Sequence, residues 1–274
     1  MGITVEHLTA ERKGFILKDI TFSMPDGYIL GIIGRNGSGK TTLLQTLLSG
    51  EKESMGEEER RAYHKRFAFV SEDCIFPENL SAKDIADLFG PMYDSFDKKK
   101  YEKLLADFNI SKHRRIGTLS KGMKIKFQMA FAFSYSSKTL ILDEPSANLD
   151  SFARKDLYRL IFEYMEQGDR TVLWATHLTD ELDRMADYLL LLEQGKQKFF
   201  AEKDNILSQY SIVKGSKKQL DCMKSLLLGR IDRETYSEGL VKTEDGPFRL
   251  ADTVEPPNIE ELMCYLFDKK NKVH

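Results

Sequence analysis

The chain has 274 residues, of which 41% are apolar and 31% charged, and 41 Lys plus Arg against 43 Asp plus Glu leave a net charge of −2. This ordinary globular composition excludes long disorder and low-complexity linkers, and the lack of a basic excess excludes a dominant nucleic-acid-binding role. The length accommodates one large α/β domain, or such a domain with a small annex.

Three cysteines, Cys74, Cys222 and Cys264, lie far apart with no CxxC pair. Neither a disulfide framework nor metal-ligand spacing is present, which fits a reducing cytoplasmic compartment. The opening MGITVEHL lacks the basic-then-apolar layout of a secretion signal. The longest apolar runs, such as Leu189–Leu192, fall far short of the ~20 residues that cross a bilayer.

In chain order, Thr4–Leu8 and Ile20–Met24 read as strands, followed by a turn at Pro25, Asp26 and Gly27. Tyr28–Ile33 is continuously apolar, as a strand buried on both faces should be. A glycine-rich loop follows, then the helical spacing of Leu43, Leu44, Leu47 and Leu48. Residues 51–66 are highly charged and read as a solvated connection or an exposed helix, ahead of a strand at Phe67–Val70. Residues 81–135 read as helical, opened by a Ser81–Asp84 capping box and interrupted at Pro91.

Leu140–Leu142 and Thr171–Ala175 are two further buried strands, separated by a helix over 152–167. Asp187–Leu192, with a turn at Gln194 and Gly195, reads as the start of a last hairpin. Polar content then rises, so 1–202 is read as one domain and 203–274 as a small annex. Strands alternating with helices predict an α/β fold with a mainly parallel sheet and its ligand at the carboxyl ends of the strands.

Gly34, Arg35, Asn36, Gly37, Ser38, Gly39, Lys40 and Thr41 match GxxxxGK[ST] between a buried strand and a helix. Glycines let successive N–H groups turn inward around phosphate oxygens, and the helix N-terminus adds its positive end. Lys40 is placed to reach the β- and γ-phosphates, and the Thr41 hydroxyl to ligate Mg²⁺, with Thr42 next in the helix. The metal needs an acidic partner at a buried strand end. Thr139-Leu140-Ile141-Leu142-Asp143-Glu144 supplies Asp143 for Mg²⁺ and Glu144 for an attacking water.

Further segments resemble the ATP-binding cassette (ABC) family across residues 1–200. Leu119-Ser120-Lys121-Gly122-Met123 resembles its LSGGQ signature, Ser146 to Asp150 (with Asn148) its D-loop, and His177 its switch histidine. The LSKGM form, with the tail segments Tyr210–Gly215 and Ile259–Met263, is similar to the multidrug and antibiotic-export branch. The resemblance implies a phosphate-loop NTPase core with an antiparallel edge subdomain and a helical signature subdomain at about 78–135. It also implies head-to-tail pairing of two cassettes, each ATP held between one phosphate loop and the partner's Ser120, Lys121, Gly122 and Met123. His177 and Glu144 would act at the γ-phosphate and its water.

Three departures from the family pattern stand out. Glu72 occupies the place of the usual Gln, where it becomes a third candidate Mg²⁺ ligand. Phe15 is the one aromatic near the expected adenine-stacking position, with Arg12 as its alternative. The stretch before Phe67 is short, so part of the edge hairpin is expected to be missing. The aromatics Phe76, Phe89, Tyr93 and Phe96 read either as a groove for a membrane subunit or as a small subdomain's own core.

The expected function is therefore an ATP-hydrolysing transporter subunit, of exporter type, using ATP and Mg²⁺. Its expected partners are an integral-membrane subunit and a second cassette, without nucleic acid, and its place is the inner face of the cell membrane. The alternative is a soluble cassette ATPase of iron–sulfur cluster assembly.

Overall fold

The computed structural model describes residues 2–12, 14–50, 57–147 and 149–267. Contacts divide the chain into two units, the residues up to His177 with Tyr188–Phe200, and Leu178–Asp187 with the residues from Ala201 onward. The second unit thus takes in a short segment from within the stretch read as the first domain.

In the first unit, β1 (Ile3–Arg12) and β2 (Phe15–Met24) form an antiparallel hairpin pairing Ile3 with Met24 and Arg12 with Phe15. Both strands are longer than their apolar alternation suggests. A register shift between Val5 and Leu8 interrupts the period of two, and His7 and Asp19 sit at positive φ of 49° and 52° there. Next come β3 (Ile29–Ile33), α1 (Lys40–Ser49), α2 (Glu57–Lys65) and β4 (Phe67–Ser71). The charged stretch is therefore a helix over its described part, and among the described residues no strand lies between α1 and β4.

The helical region holds α3 (Ala82–Phe89), α4 (Lys98–Asp107) and α5 (Lys121–Ala132). The capping box forms as expected: Asp84 N–H donates to Ser81 Oγ at 3.2 Å, and Ser81 N–H donates to Asp84 Oδ2 at 2.9 Å. Pro91 lies in a single 3₁₀ turn at Gly90–Met92. Then follow β5 (Thr139–Asp143), α6 (Ser151–Met165), β6 (Thr171–Ala175), α7 (Thr179–Met185) of the second unit, β7 (Tyr188–Glu193) and β8 (Lys196–Glu202).

The sheet order is β1-β2-β8-β7-β3-β6-β5-β4, with β7, β3, β6, β5 and β4 all parallel. Every residue of β3, β5 and β6 is buried, because helices cover both faces of a parallel sheet. Leu30, Ile32, Leu43, Leu44, Ile141, Leu173 and Leu190 join one core that clamps α1 against the sheet. The strand ends that carry the site are thereby fixed.

The aromatic cluster belongs to the helical subdomain's own core. Phe76 lies 5.3 Å from Phe127 and 5.0 Å from Phe131, and Phe96 lies 5.2 Å from Phe131. Tyr93 stacks on Tyr135 at 4.0 Å. The exposed apolar side chains of this region are Ile75, Leu88 and Met92.

The second unit contains α7, α8 (Lys203–Ser208), β9 (Tyr210–Gly215), α9 (Lys217–Cys222), β10 (Gly229–Asp232), β11 (Ser237–Lys242), β12 (Thr253–Glu255) and α10 (Ile259–Phe267). Its antiparallel sheet runs β10-β11-β9-β12. Alternation sends Ile212 and Leu240 to one face against Leu262 and Tyr265. Val213 and Val241 go to the other face, against Leu220 and Met223. The expected annex is thus a folded unit with two small cores. Among the described residues, no helix is long and apolar enough to cross a membrane.

Candidate nucleotide site

The glycine-rich segment leaves the carboxyl end of β3 and winds into α1. Gly39 holds φ 109° at the helix N-cap, a conformation that excludes most side chains, and a Cβ there would also strike Leu17 and Phe15. A Cβ on Gly34 would fall 2.3 Å from Ser38 Oγ and 2.4 Å from the Leu192 carbonyl oxygen. The loop is tied down by Ser38 N–H donating to the Arg35 carbonyl at 3.0 Å and Gly195 N–H donating to the Ser38 carbonyl at 3.0 Å. Arg35, Asn36 and Gly37 form its exposed lip.

Within this cradle Lys40, only 6% exposed, donates to the Gly34 carbonyl oxygen at 2.8 Å and lies 3.5 Å from Glu144 Oε1. Ser38 Oγ is buried without a hydrogen-bond partner. An orphaned hydroxyl beside a buried ammonium in a glycine loop fits a bound polyphosphate, which would supply both with acceptors.

Thr41 Oγ1 donates to Asp143 Oδ1 at 3.2 Å, joining the first turn of α1 to the end of β5. Burial pushes the Asp143 carboxyl above its ordinary range, opposed by the Thr41 hydroxyl and reinforced by the neighbouring Glu144 charge. A hydroxyl and a buried carboxylate, both hard oxygen donors, fit a Mg²⁺ ion. Glu144 follows at φ 50°, an uncommon conformation for a non-glycine residue, with its N–H donating to the Ala175 carbonyl at 2.9 Å. That turn aims its carboxylate across the β6 end, where Oε2 lies 2.8 Å from His177 Nδ1 and accepts from His177 N–H at 3.3 Å.

Lys40, Thr41, Asp143, Glu144 and His177 are thus brought together at the carboxyl ends of β3, β5 and β6. Residues 17–147 match the family model described as ABC transporter. Over that stretch the chain resembles the ATP-binding domain of ABC transporters. This cassette is 28% identical over 213 residues to ATP-binding cassette sub-family A member 2 of Rattus norvegicus, covering 72% of this chain but 9% of that relative. It is 25% identical over 203 residues to the ABC transporter ATP-binding protein YtrB of Bacillus subtilis, covering 71% of this chain and 70% of that protein. A solved structure of an ATP-binding subunit of an ABC transporter superposes with TM-score 0.66 at 26% identity, covering 75% of this chain and 92% of the other. The chain shares that subunit's α/β fold.

The remaining sequence-derived residues are placed as follows. Ser120 caps α5, accepting from Met123 N–H at 3.3 Å, and Lys121, Gly122 and Met123 form its first turn. Asp150 caps α6, its Oδ1 accepting from Phe152 and Ala153 N–H at 2.9 and 2.8 Å. Asn148 lies outside the described residues. Thr42 accepts the Thr46 hydroxyl on its carbonyl at 2.8 Å, within α1. Phe15 is half-buried beside Gly39 and packs on the core next to the loop, while Arg12 donates to Ser49 Oγ at 2.8 Å.

Glu72 follows β4, its N–H donating to the Asp143 carbonyl at 3.0 Å and its carboxylate lying 3.3 Å from Lys121 Nζ. Sequence reasoning missed Gln128, which is 1% exposed. Its Nε2 donates to the Ser71 carbonyl at 2.9 Å, tying α5 to the end of β4. The signal was a lone amide inside the apolar run of α5.

Proposed function

We propose that this cassette powers a transporter of exporter type through a separate integral-membrane subunit, at the inner face of the membrane, by pairing head to tail with a second cassette. The observation that carries the reading is the Lys40–Glu144–His177 cluster set beside Thr41 and Asp143. The LSKGM signature, similar to that of the export branch, supports the transporter type, and the names of the relatives support a transport role.

In this reading the N–H groups of Gly37 to Thr41 enclose the phosphates, and Lys40 swings from the Gly34 carbonyl to the β- and γ-oxygens. Thr41 and Asp143 would hold Mg²⁺, which neutralises charge on those oxygens when bound, while the Glu72 carboxylate faces Lys121 instead. Glu144 takes the proton of a water that attacks the γ-phosphorus as the bond to the ADP oxygen breaks. His177 fixes the Glu144 carboxylate and donates toward the γ-phosphate. Phe15 stacks on the adenine. Ser120, Lys121 and Gly122 of the second cassette, together with Asp150 near the shared surface, complete the enclosure.

The test is ATP hydrolysis and ATP-dependent dimer formation by the purified chain, with and without Glu144→Gln. Dimers trapped by the variant, and recovery of a membrane protein on affinity capture from solubilised membranes, support the reading. Hydrolysis unaffected by Glu144→Gln overturns it.

A further inference from the structure

One departure from the family pattern, Glu72, touches the signature segment. Glu72 stands where the pattern has Gln, and Nζ of the signature's Lys121 lies 3.3 Å from Glu72 Oε1. The contact has a rigid foundation, because Gln128 binds both backbone groups of Ser71, at 2.9 and 3.4 Å, from within the helix that Lys121 begins. Glu72 therefore leaves β4 at a fixed distance from the first turn of α5. On its other side, its N–H is anchored to the Asp143 carbonyl.

We propose that Glu72 is a latch on the signature lysine, holding Lys121 in the nucleotide-free cassette until the γ-phosphate of ATP on a second cassette displaces it. This rests on the head-to-tail pairing proposed above. The side chains are 36% and 61% exposed, so the pair is weak enough to exchange. A phosphate carries more charge than a carboxylate and makes stronger charge-assisted hydrogen bonds to an ammonium, so it wins the competition. The latch raises the ATP concentration needed for pairing, and a neutral Gln at position 72 would not.

The full chain carrying Glu144→Gln keeps ATP intact, so dimer formation against ATP concentration can be followed by sedimentation, free of turnover. Glu72→Gln is expected to lower the half-association concentration of ATP by about two- to fivefold, the range for an exposed ion pair. Lys121→Ala is expected to raise it, and adding Glu72→Gln to Lys121→Ala is expected to change nothing further, the non-additivity of a direct contact. An unchanged curve for Glu72→Gln, or a gain that persists without Lys121, overturns the latch. If the Glu144→Gln parent binds ATP in calorimetry yet never dimerises, the pairing itself fails, and the latch with it.

Discussion

His177 grips Glu144 twice, with Nδ1 at 2.8 Å and its backbone N–H at 3.3 Å from the same carboxylate oxygen. Because Glu144 stands at φ 50°, this double contact holds the strained turn at the end of β5. Glu144→Gln should keep the geometry but lose the base, slowing turnover about 10²–10⁴-fold with little change in ATP affinity. His177→Ala should also lower kcat, with a smaller loss of ATP affinity because it removes one donor to the γ-phosphate. Steady-state hydrolysis beside calorimetric binding separates the two effects, and equal losses of affinity and rate would contradict the assignment.

In the proposed site Lys40 and Thr41 meet different parts of one nucleotide, its phosphates and its Mg²⁺. Lys40→Ala removes the buried ammonium from the loop, and ATP affinity should fall at least about tenfold, one charge-assisted contact being worth that much. Thr41→Val keeps the shape but removes the hydroxyl that faces Asp143 at 3.2 Å. Its affinity for ATP without Mg²⁺ should match the wild type, while the gain on adding Mg²⁺ shrinks. Titrating nucleotide at several Mg²⁺ concentrations checks both.

Phe15 packs over Gly39, next to where the phosphates would sit. Phe15→Ala should weaken ATP about tenfold, within the range of one base stacked on an aromatic ring, but leave inorganic triphosphate binding unaltered. Competition between the two ligands against a fluorescent nucleotide measures the difference.

The site residues at strand ends were legible because each lies where a run of buried residues meets a glycine or a carboxylate, as Ile33 meets Gly34 and Leu142 meets Asp143. The parallel sheet followed from the same runs. The Glu72–Lys121 pair was not legible, since a contact spanning 49 positions depends on how Gln128 docks α5 on β4. The fold of the second unit escaped as well. Its short strands alternate only over residues such as Ile212, Val213, Leu240 and Val241, too few to raise a period above a polar background.

The helical subdomain should depend on its aromatic core. Phe131 lies within about 6 Å of Phe76, Tyr93, Phe96, Tyr101 and Tyr135, ring centroid to ring centroid. Phe131→Ala should destabilise the first unit by about 3–5 kcal/mol. The exposed Leu88 and Met92, replaced by Ala, should each cost less than about 0.5 kcal/mol. Urea unfolding followed by the fluorescence of the lone Trp174 ranks them.

Asp183 links α7 to the start of α10 within the second unit, accepting from Ile259 N–H at 3.0 Å. Burial pushes its carboxyl up, and the Ile259 N–H and nearby Lys203 pull it down less strongly, while Asp180 and Glu260 add repulsion. A carboxyl raised in the fold binds more protons folded than unfolded as pH rises from its unfolded to its folded value. Stability therefore falls across that window and stays level above it. Asp183→Asn keeps an oxygen for Ile259 and removes the charge. Its Tm should exceed the wild type by about 1–3 °C at neutral pH, with the gap closing on acidification below the ordinary carboxylate range. A gap that stays constant with pH, in melts followed by circular dichroism, would show that the Asp183 charge carries no such cost.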